Sequence, residues 1–561
     1  MNEEQQQRLE ADLNLIKQLL TCPNGEEQAI LHANSQLLGE AFVEVMKLVA
    51  AKMGENGESN AEWLQSFAEG LAKMMEEWEQ LNNEVIELYN AGKYDEAIPI
   101  AEQAATLALQ LWGESHANVA TSLNNLAGLY RSQGRYEAAE PLYQQAIEID
   151  KIALPANHPQ LATHLNNLAG LYESQGRYEA AEPLYQQAIE IDKIALPANH
   201  PQRASSLNNL AELYRSQGRY EAAEPLYQQA IEIDKIALPA NHPELATHLN
   251  NLAGLYESQG RYEAAEPLFQ QAIEIDKIAL PANHPQLATH LNNLAGLLAK
   301  TDRPKEAFKL MLKASKIQDK TIQVIFASSS ESDRLAHIQE KVRPNLEIFL
   351  SLVYQYLPHS QVAKQAALNL VLKRKALTAT ALAAQNQAVF HDRSPRLQKI
   401  FRLWREKCDQ LLAFTYQVPP PEKREAHKQQ LAQLQKECNE LERQLTREVP
   451  EIAMQQQMGD RRAVASELPE GAKLLEFVRF RVFDFMNDSW QKARYLAFVL
   501  AQGKPSEVEM IDLGVAEDID RLISLYRESV MKWPEASDES PQPPFERGAK
   551  MEGGAKMEGG A

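Results

Sequence analysis

Five asparagine pairs, at 124/125, 166/167, 208/209, 250/251 and 292/293, recur every 42 residues. A side-chain amide both donates and accepts hydrogen bonds, so a row of them suits the peptide groups of an extended ligand of any sequence. That is the chemistry of recognition rather than of bond-making. Asn125, Asn167, Asn209, Asn251 and Asn293 are the first groove candidates, with Asn124, Asn166, Asn208 and Asn250 behind them. The alternative is that one asparagine of each pair bonds the neighbouring unit and serves only the fold. Thr163, Ser205, Thr247 and Thr289 lie four residues before the second asparagines and share their helix face one turn away. Gly170 and Gly254 lie four residues after Asn166 and Asn250 and leave room for a ligand, a place that Glu212 fills. Glu173, Arg215 and Glu257 vary where the surrounding sequence repeats. This suggests tuning of specificity, with duplication followed by drift as the rival explanation.

Other reactive residue types carry less. His164, His248 and His290 form a ladder broken by Ser206. A metal needs three or four ligands within about 2.1 Å of one ion, while packed helices stand about 10 Å apart, so these histidines read as exposed polar residues. His158, His200, His242 and His284 each precede a proline and read as structural. Cys22, Cys408 and Cys438 have no CxxC spacing, which argues against a disulfide framework or zinc site and for packing roles. Lys373-Arg374-Lys375 reads as solvated or paired with acidic neighbours. No glycine-rich phosphate loop occurs, and neither a metal nor a cofactor is expected.

With 57 basic and 77 acidic residues, the formal charge is −20. Nucleic acid and anionic membrane surfaces are disfavoured as partners, and protein or peptide partners are expected. The acidic start, MNEEQQQRLEADLNLIKQLL, lacks a basic region before an apolar stretch, and no 18-residue apolar run follows. A reducing, cytoplasmic setting is expected.

The elements that position the asparagines follow from the 42-residue period. LNNLAGLY at 123–130 returns as close copies at 165, 207, 249 and 291. A period of this size denotes stacked supersecondary units with one long face left free. Within a unit, Asn157-His158-Pro159 starts a helix that places Leu165, Leu168, Ala169 and Tyr172 on one stripe. Gly176 ends it, and a second helix adds Ala181, Tyr185, Ala188 and Ile189. Tyr136, Tyr178, Tyr220 and Tyr262 follow the turn glycine by two residues and fill the core.

Leu165, Leu168, Ala169, Tyr172, Ala181, Tyr185 and Ala188 resemble, in register, the tetratricopeptide repeat. The longer 42-residue form and the pattern HP…LNNLA.LY..QG.Y..AE.L…A are similar to the repeats of kinesin light chains. The resemblance implies an α-solenoid whose first-helix asparagines face a concave, peptide-binding groove. The lysines of a carboxylate clamp are absent from the matching positions. Asn82, Asn83, Gly92, Tyr94, Ala97 and Ala104 extend the register backward, with Glu84 where leucine belongs. Leu291, Leu294, Ala295, Ala307 and Ala314 extend it forward, with Asp302-Arg303-Pro304 replacing the Gly-Arg-Tyr turn. About six repeats span 78–321, after an N-terminal helical region at 1–77.

From 322 to 450 the period is lost and packed helices are predicted. They include a charged helix with Leu431, Leu434, Cys438, Leu441 and Leu445 on one stripe, a helical-hairpin or coiled-coil pattern. At 468–533 the texture becomes α/β. KLLEFVRFRVFDF and ARYLAFVLAQG form a hairpin, VEMIDLG a third strand, and 516–533 a helix. The residues 534–561 are Pro-, Gly- and charge-rich and read as disordered. Repeats, long helices and these strands, in that order, resemble the architecture of CHAT proteins, caspase-like relatives found notably in cyanobacteria. Residues 13–32 likewise resemble a leader common in such proteins. CHAT chemistry implies a His–Cys couple late in the domain. The last histidine here is His427 and the last cysteine Cys438, both before the first CHAT-like strand. The expectation is a truncated CHAT fragment, a mainly α chain and a non-enzymatic scaffold. The alternative is the regulatory part of a split or degenerate peptidase.

Overall fold

The computed structural model describes residues 3–328, 334, 337–383, 395–448 and 460–531. Four helices open the chain: α1 (Glu3–Thr21), α2 (Glu27–Ala33), α3 (Glu40–Glu55) and α4 (Ala61–Asn90). Leu15, Ile16, Phe42, Met46 and Leu64 form their buried core. The position 77/78, expected as a boundary, lies inside α4, which runs unbroken into the repeat array.

Six helical hairpins follow in series. The end of α4 pairs with α5 (Tyr94–Trp112), then α6 (Ala117–Ser132) with α7 (Tyr136–Ala153), and α8 (Pro159–Ser174) with α9 (Tyr178–Ala195). Next come α10 (Pro201–Ser216) with α11 (Tyr220–Ala237), α12 (Pro243–Ser258) with α13 (Tyr262–Ala279), and α14 (Pro285–Lys300) with α15 (Pro304–Ser328). The first helices α8, α10, α12 and α14 each begin with a His–Pro step for a physical reason. Proline needs no partner at the first helical position. The preceding imidazole accepts an otherwise orphaned N–H, as Nδ1 of His158 does from Gln160 N at 3.3 Å and Nδ1 of His284 from Gln286 N at 3.2 Å. Gly134, Gly176, Gly218 and Gly260 end those helices with φ of 71–73°, which only glycine adopts without strain. In the last hairpin Asp302 takes that place at φ 56°, since a short polar side chain tolerates the left-handed region. Ala169, Ala181 and Ala188 are fully buried and let the two helices of a hairpin approach closely.

Neighbouring hairpins are stapled by buried polar groups. Nδ1 of His248 bonds Asp234 Oδ2 at 2.6 Å. Nδ1 of His164 and of His290 lie 2.7 Å from Oδ2 of Asp150 and Asp276. The four aspartates at these places, Asp150, Asp192, Asp234 and Asp276, are at most 1% exposed. The histidine ladder, expected from the sequence to be exposed, is therefore buried. Each imidazole is an internal partner for a carboxylate that terminates the preceding hairpin.

Beyond the array come a π-helical turn (Ile338–Val342), α16 (Arg343–Tyr356), α17 (Gln361–Ala383), α18 (Pro395–Tyr416), α19 (Arg424–Glu448) and α20 (Arg461–Glu467). The stripe of Leu431, Leu434, Cys438 and Leu445 packs α19 on α18 as a helical hairpin. An antiparallel sheet of order β1-β2-β3 is built from β1 (Lys473–Asp484), β2 (Ser489–Ala501) and β3 (Val508–Val515), followed by α21 (Ala516–Met531). Phe480 on the buried face meets Tyr354 of α16 edge-on at 6.1 Å, and Ser351 Oγ accepts from Phe483 N at 2.8 Å. The basic run is spent internally. Lys373 and Arg374 pair with Asp319 at 2.8 and 2.9 Å, and Lys375 pairs with Glu476. The stretch 534–561, expected to be disordered, lies outside the described residues, as do 532–533 at the end of the helix expected over 516–533.

Candidate functional site

The first helices α6, α8, α10, α12 and α14 run side by side and touch one another, so their free faces form one continuous surface. The asparagine pairs lie on it, and the structure shows how they are oriented. Nδ2 of the second asparagine donates to Oδ1 of the first asparagine one hairpin back. Asn125 donates to Asn82 at 3.0 Å, Asn167 to Asn124 at 2.9 Å, Asn251 to Asn208 at 3.1 Å and Asn293 to Asn250 at 3.0 Å. The bonding of one asparagine to the neighbouring hairpin is thus present. The amides of Asn125, Asn167, Asn251 and Asn293 each spend part of their capacity on the neighbouring hairpin, and Oδ1 of Asn125, Asn167 and Asn293 has no hydrogen bond among the described residues.

The ladder breaks once, at Asn209. Its expected acceptor, Asn166, turns Nδ2 to Ser206 Oγ at 2.9 Å, and that hydroxyl donates to Asp192 Oδ2 at 2.6 Å. The chemistry fixes this orientation. The carboxylate can only accept, so the serine proton goes to Asp192 and its oxygen must accept from an amide N–H. Asn166 Oδ1 is left buried without a partner, and the Asn209 amide, half-buried, makes no hydrogen bond among the described residues. The cause is one residue: where His164, His248 and His290 meet their aspartates with an imidazole, Ser206 does so with a hydroxyl that also accepts from Asn166.

A second ladder runs beside the first. Arg131 donates to Ser174 Oγ at 3.2 Å and packs over Gly170, so the room expected there is taken. A Cβ on Gly170 would lie 2.9 Å from its guanidinium, whereas one on Gly254 would meet nothing within 4 Å. Only the second glycine leaves space. Glu173 accepts from Tyr185 Oη at 2.9 Å, and Glu212 accepts from Tyr227 Oη at 2.6 Å while pairing with Arg215. Glu257 pairs with Lys300 at 2.8 Å. Burial raises the carboxyl pKa of both Glu173 and Glu257, opposed by the Tyr185 hydrogen bond and by Lys300 respectively. Burial disfavours charge on Arg215, but its bond to Glu212 outweighs this and its pKa stays raised. Glu173, Arg215 and Glu257 therefore belong to a line of alternating charge that was not legible residue by residue.

Thr163 and Thr247 hold the frame. Their hydroxyls donate to Pro159 O and Pro243 O at 3.3 and 3.2 Å. They also accept from Gln202 and Gln286 at 3.4 and 3.1 Å. Among the described residues no three His, Cys, Asp or Glu side chains converge as a metal set, and no helix is long and apolar enough to cross a membrane.

The tetratricopeptide repeat family model matches residues 83–152, 160–236, 202–278 and 244–320, so the hairpins of the array are tetratricopeptide repeats. No curated protein matches the chain. Among solved structures, it is similar to the nearly identical TPR-like repeats of a Podosopora anserina protein assigned as a kinesin light chain. That match has 28% sequence identity, covers 36% of this chain and 95% of the other, and has a TM-score of 0.31. BtubC (BKLC) from P. vanneervenii matches at 20% identity over 42% of this chain and 91% of its own, with a TM-score of 0.34. Pseudomonas aeruginosa pilF matches at 17% over 44% and 99%, with a TM-score of 0.31.

Proposed function

We propose that the chain is a non-enzymatic interaction scaffold that holds an extended peptide or protein segment along the first-helix face. The observation that carries this reading is the amide row. Its members are oriented by bonds to the next hairpin, and they keep unspent acceptors and donors pointing out of those bonds. The break leaves the half-buried Asn209 amide without a partner among the described residues, and a peptide group in the groove satisfies it. The open place at Gly254 admits a side chain of the ligand. The repeat family supports a protein partner, and the charge of −20 favours one that is neutral or basic along this face.

Asn209→Ala is the sharpest test, because Asn209 contributes no hydrogen bond among the described residues. Capture from a random-peptide display library should give extended peptides whose affinity falls with Asn209→Ala at unchanged melting temperature. Asn167→Ala and Asn251→Ala should weaken binding further and also loosen the array. Peptides that bind equally well to all three variants would count against the groove.

A second reading follows from the C-terminal unit. Its sheet has β1 and β3 as edge strands among the described residues, with Leu475, Phe477, Ile511 and Leu513 exposed on one face. In the reading by CHAT resemblance, a separately encoded segment would complete this sheet and the array would regulate a split peptidase in the cytoplasm. Peptide cleavage by the purified chain alone would contradict both readings.

A further inference from the structure

The outer surface of the last hairpin differs chemically from that of the other hairpins. Lys305, Lys309, Lys313, Lys316 and Lys320 of α15 recur at i, i+4, i+8, i+11 and i+15, one narrow helical face. In the preceding hairpin the same register holds Glu263, Pro267, Gln271, Glu274 and Ile278. All five lysines are exposed, and their ammonium groups make no ion pair or hydrogen bond among the described residues. This stripe flanks a cleft of about 380 Å³ between α13 and α15 whose floor is α14. Leu287, Leu291 and Leu294 line the floor, Ile273 and Leu310 the walls, and Lys313 and Lys316 the rim.

We propose that this cleft is a second docking surface, on the opposite side of the array from the asparagines, and that it takes an acidic amphipathic helix of a partner protein. Three features select that occupant. The floor residues stand at i, i+4 and i+7 of α14, two turns or roughly 10 Å of helix, which matches the spacing of apolar anchors on a docked helix. The walls are helices, whose ridges accept another helix in their groove. The unpaired lysines, in a chain of net charge −20, complement glutamates and aspartates flanking the anchors. A flat anionic bilayer reaches the lysine tips but not the apolar floor, and the charge of the rest of the chain repels it.

The probe is an acetylated, amidated 18-residue peptide with leucines at i, i+3 and i+7 and glutamates flanking them. Its controls are a scrambled peptide and one with lysine for each glutamate. Fluorescence anisotropy with the full chain should show binding of the glutamate peptide alone. The affinity should fall steeply with added salt and by about tenfold or more in Lys313→Glu/Lys316→Glu. Those side chains are exposed, so the variant should keep the wild-type circular-dichroism spectrum. Asn209→Ala should leave this binding unchanged, which separates it from the groove. Equal binding by the charge-reversed variant, or by the lysine or scrambled peptide, would overturn the proposal. So would recruitment of the chain to phosphatidylserine vesicles with no peptide binding.

Discussion

Lys300 is where the repeat array and the C-terminal sheet are joined by charge, and its removal is a quantitative test of that joint. The ammonium is 3% exposed and lies 2.8 Å from Glu257 on the neighbouring first helix and 2.5 Å from Asp488 in the β1–β2 turn. Burial lowers its pKa, and the Glu257 charge leads the effects that more than reverse this. At an effective dielectric constant of about 20, a pair 2.8 Å apart is worth roughly 6 kcal/mol before desolvation. Desolvating the ammonium offsets much of this, whereas removing one member of a buried pair typically costs 3–5 kcal/mol, or about 3 here because Asp488 is half exposed. Lys300→Met keeps the aliphatic volume and strands Glu257, which is 15% exposed. The expected loss is about 3 kcal/mol, and Lys300→Met/Glu257→Gln should recover at least half of it. Asp488→Asn alone should cost under about 1 kcal/mol. Because long arrays depart from two-state unfolding, hydrogen exchange is the assay of choice, with protection in β1 and β2 reporting the joint separately from α8 and α10. The raised lysine pKa fixes the sign with pH: the contribution is complete below the ordinary lysine range and is lost as pH rises through the native value. Lys300→Met within 0.5 kcal/mol of wild type, or a double variant as unstable as the single one, would refute the reasoning.

Two further outcomes follow. Ser206→His should replace the hydroxyl–carboxylate bond to Asp192 with an imidazole–carboxylate pair, release Asn166 to accept from Asn209 and raise the thermal midpoint. Ser206→Ala should cost about 1–3 kcal/mol by stranding buried groups; differential scanning fluorimetry of both variants checks this, and a destabilised Ser206→His would contradict it. His116 and His284, which cap helices through Nδ1, are held at about 4 by burial. A depressed histidine pKa gives stability that is complete above about 6.5 and disappears as pH falls toward 4, on the order of 3 kcal/mol for the buried His284. His116→Asn/His284→Asn keeps a capping side chain without a titrating ring, so its melting temperature should fall less than that of wild type between pH 7.5 and 4.5.

The fold was legible because periodicity and punctuation agree at every level. Leu165, Leu168 and Tyr172 mark a helical stripe, Pro159 its start and Gly176 its end, and the 42-residue return multiplies a single inference. What escaped were contacts between repeats. An amide has two roles to offer on each side, so nothing local says that Asn167 bonds Asn124 rather than a ligand. A signal for the histidines was present: His164 lies three residues after Leu161 and four before Leu168, on the buried stripe, and a buried imidazole needs a partner. The charge ladder required comparing positions 43 residues apart, as for Glu257 and Lys300. The lysine stripe of α15 was visible at helical spacing, but its meaning depends on the apolar floor that α14 places beside it.

A solenoid is ordinarily one-dimensional: each repeat touches only its neighbours, and its ends are free to move apart. Here α18 changes that topology. Asp409 pairs at 2.6 Å with Lys93, a buried lysine in the first hairpin's turn, and Leu412 packs with Ala91, Ile322 and Ile325. At the end of the same helix, Tyr416 meets the ring of His284, the capping residue of the sixth hairpin, at 5.8 Å. One helix thus touches both the first and the last hairpin. Contacts of such long sequence separation couple the ends, so opening the groove requires strain in α18 or its release. On the proposed reading, this brace lowers the ordering cost of binding along the asparagine face. The same coupling makes the first-helix face and the C-terminal sheet, tied through Lys300, parts of one mechanical unit.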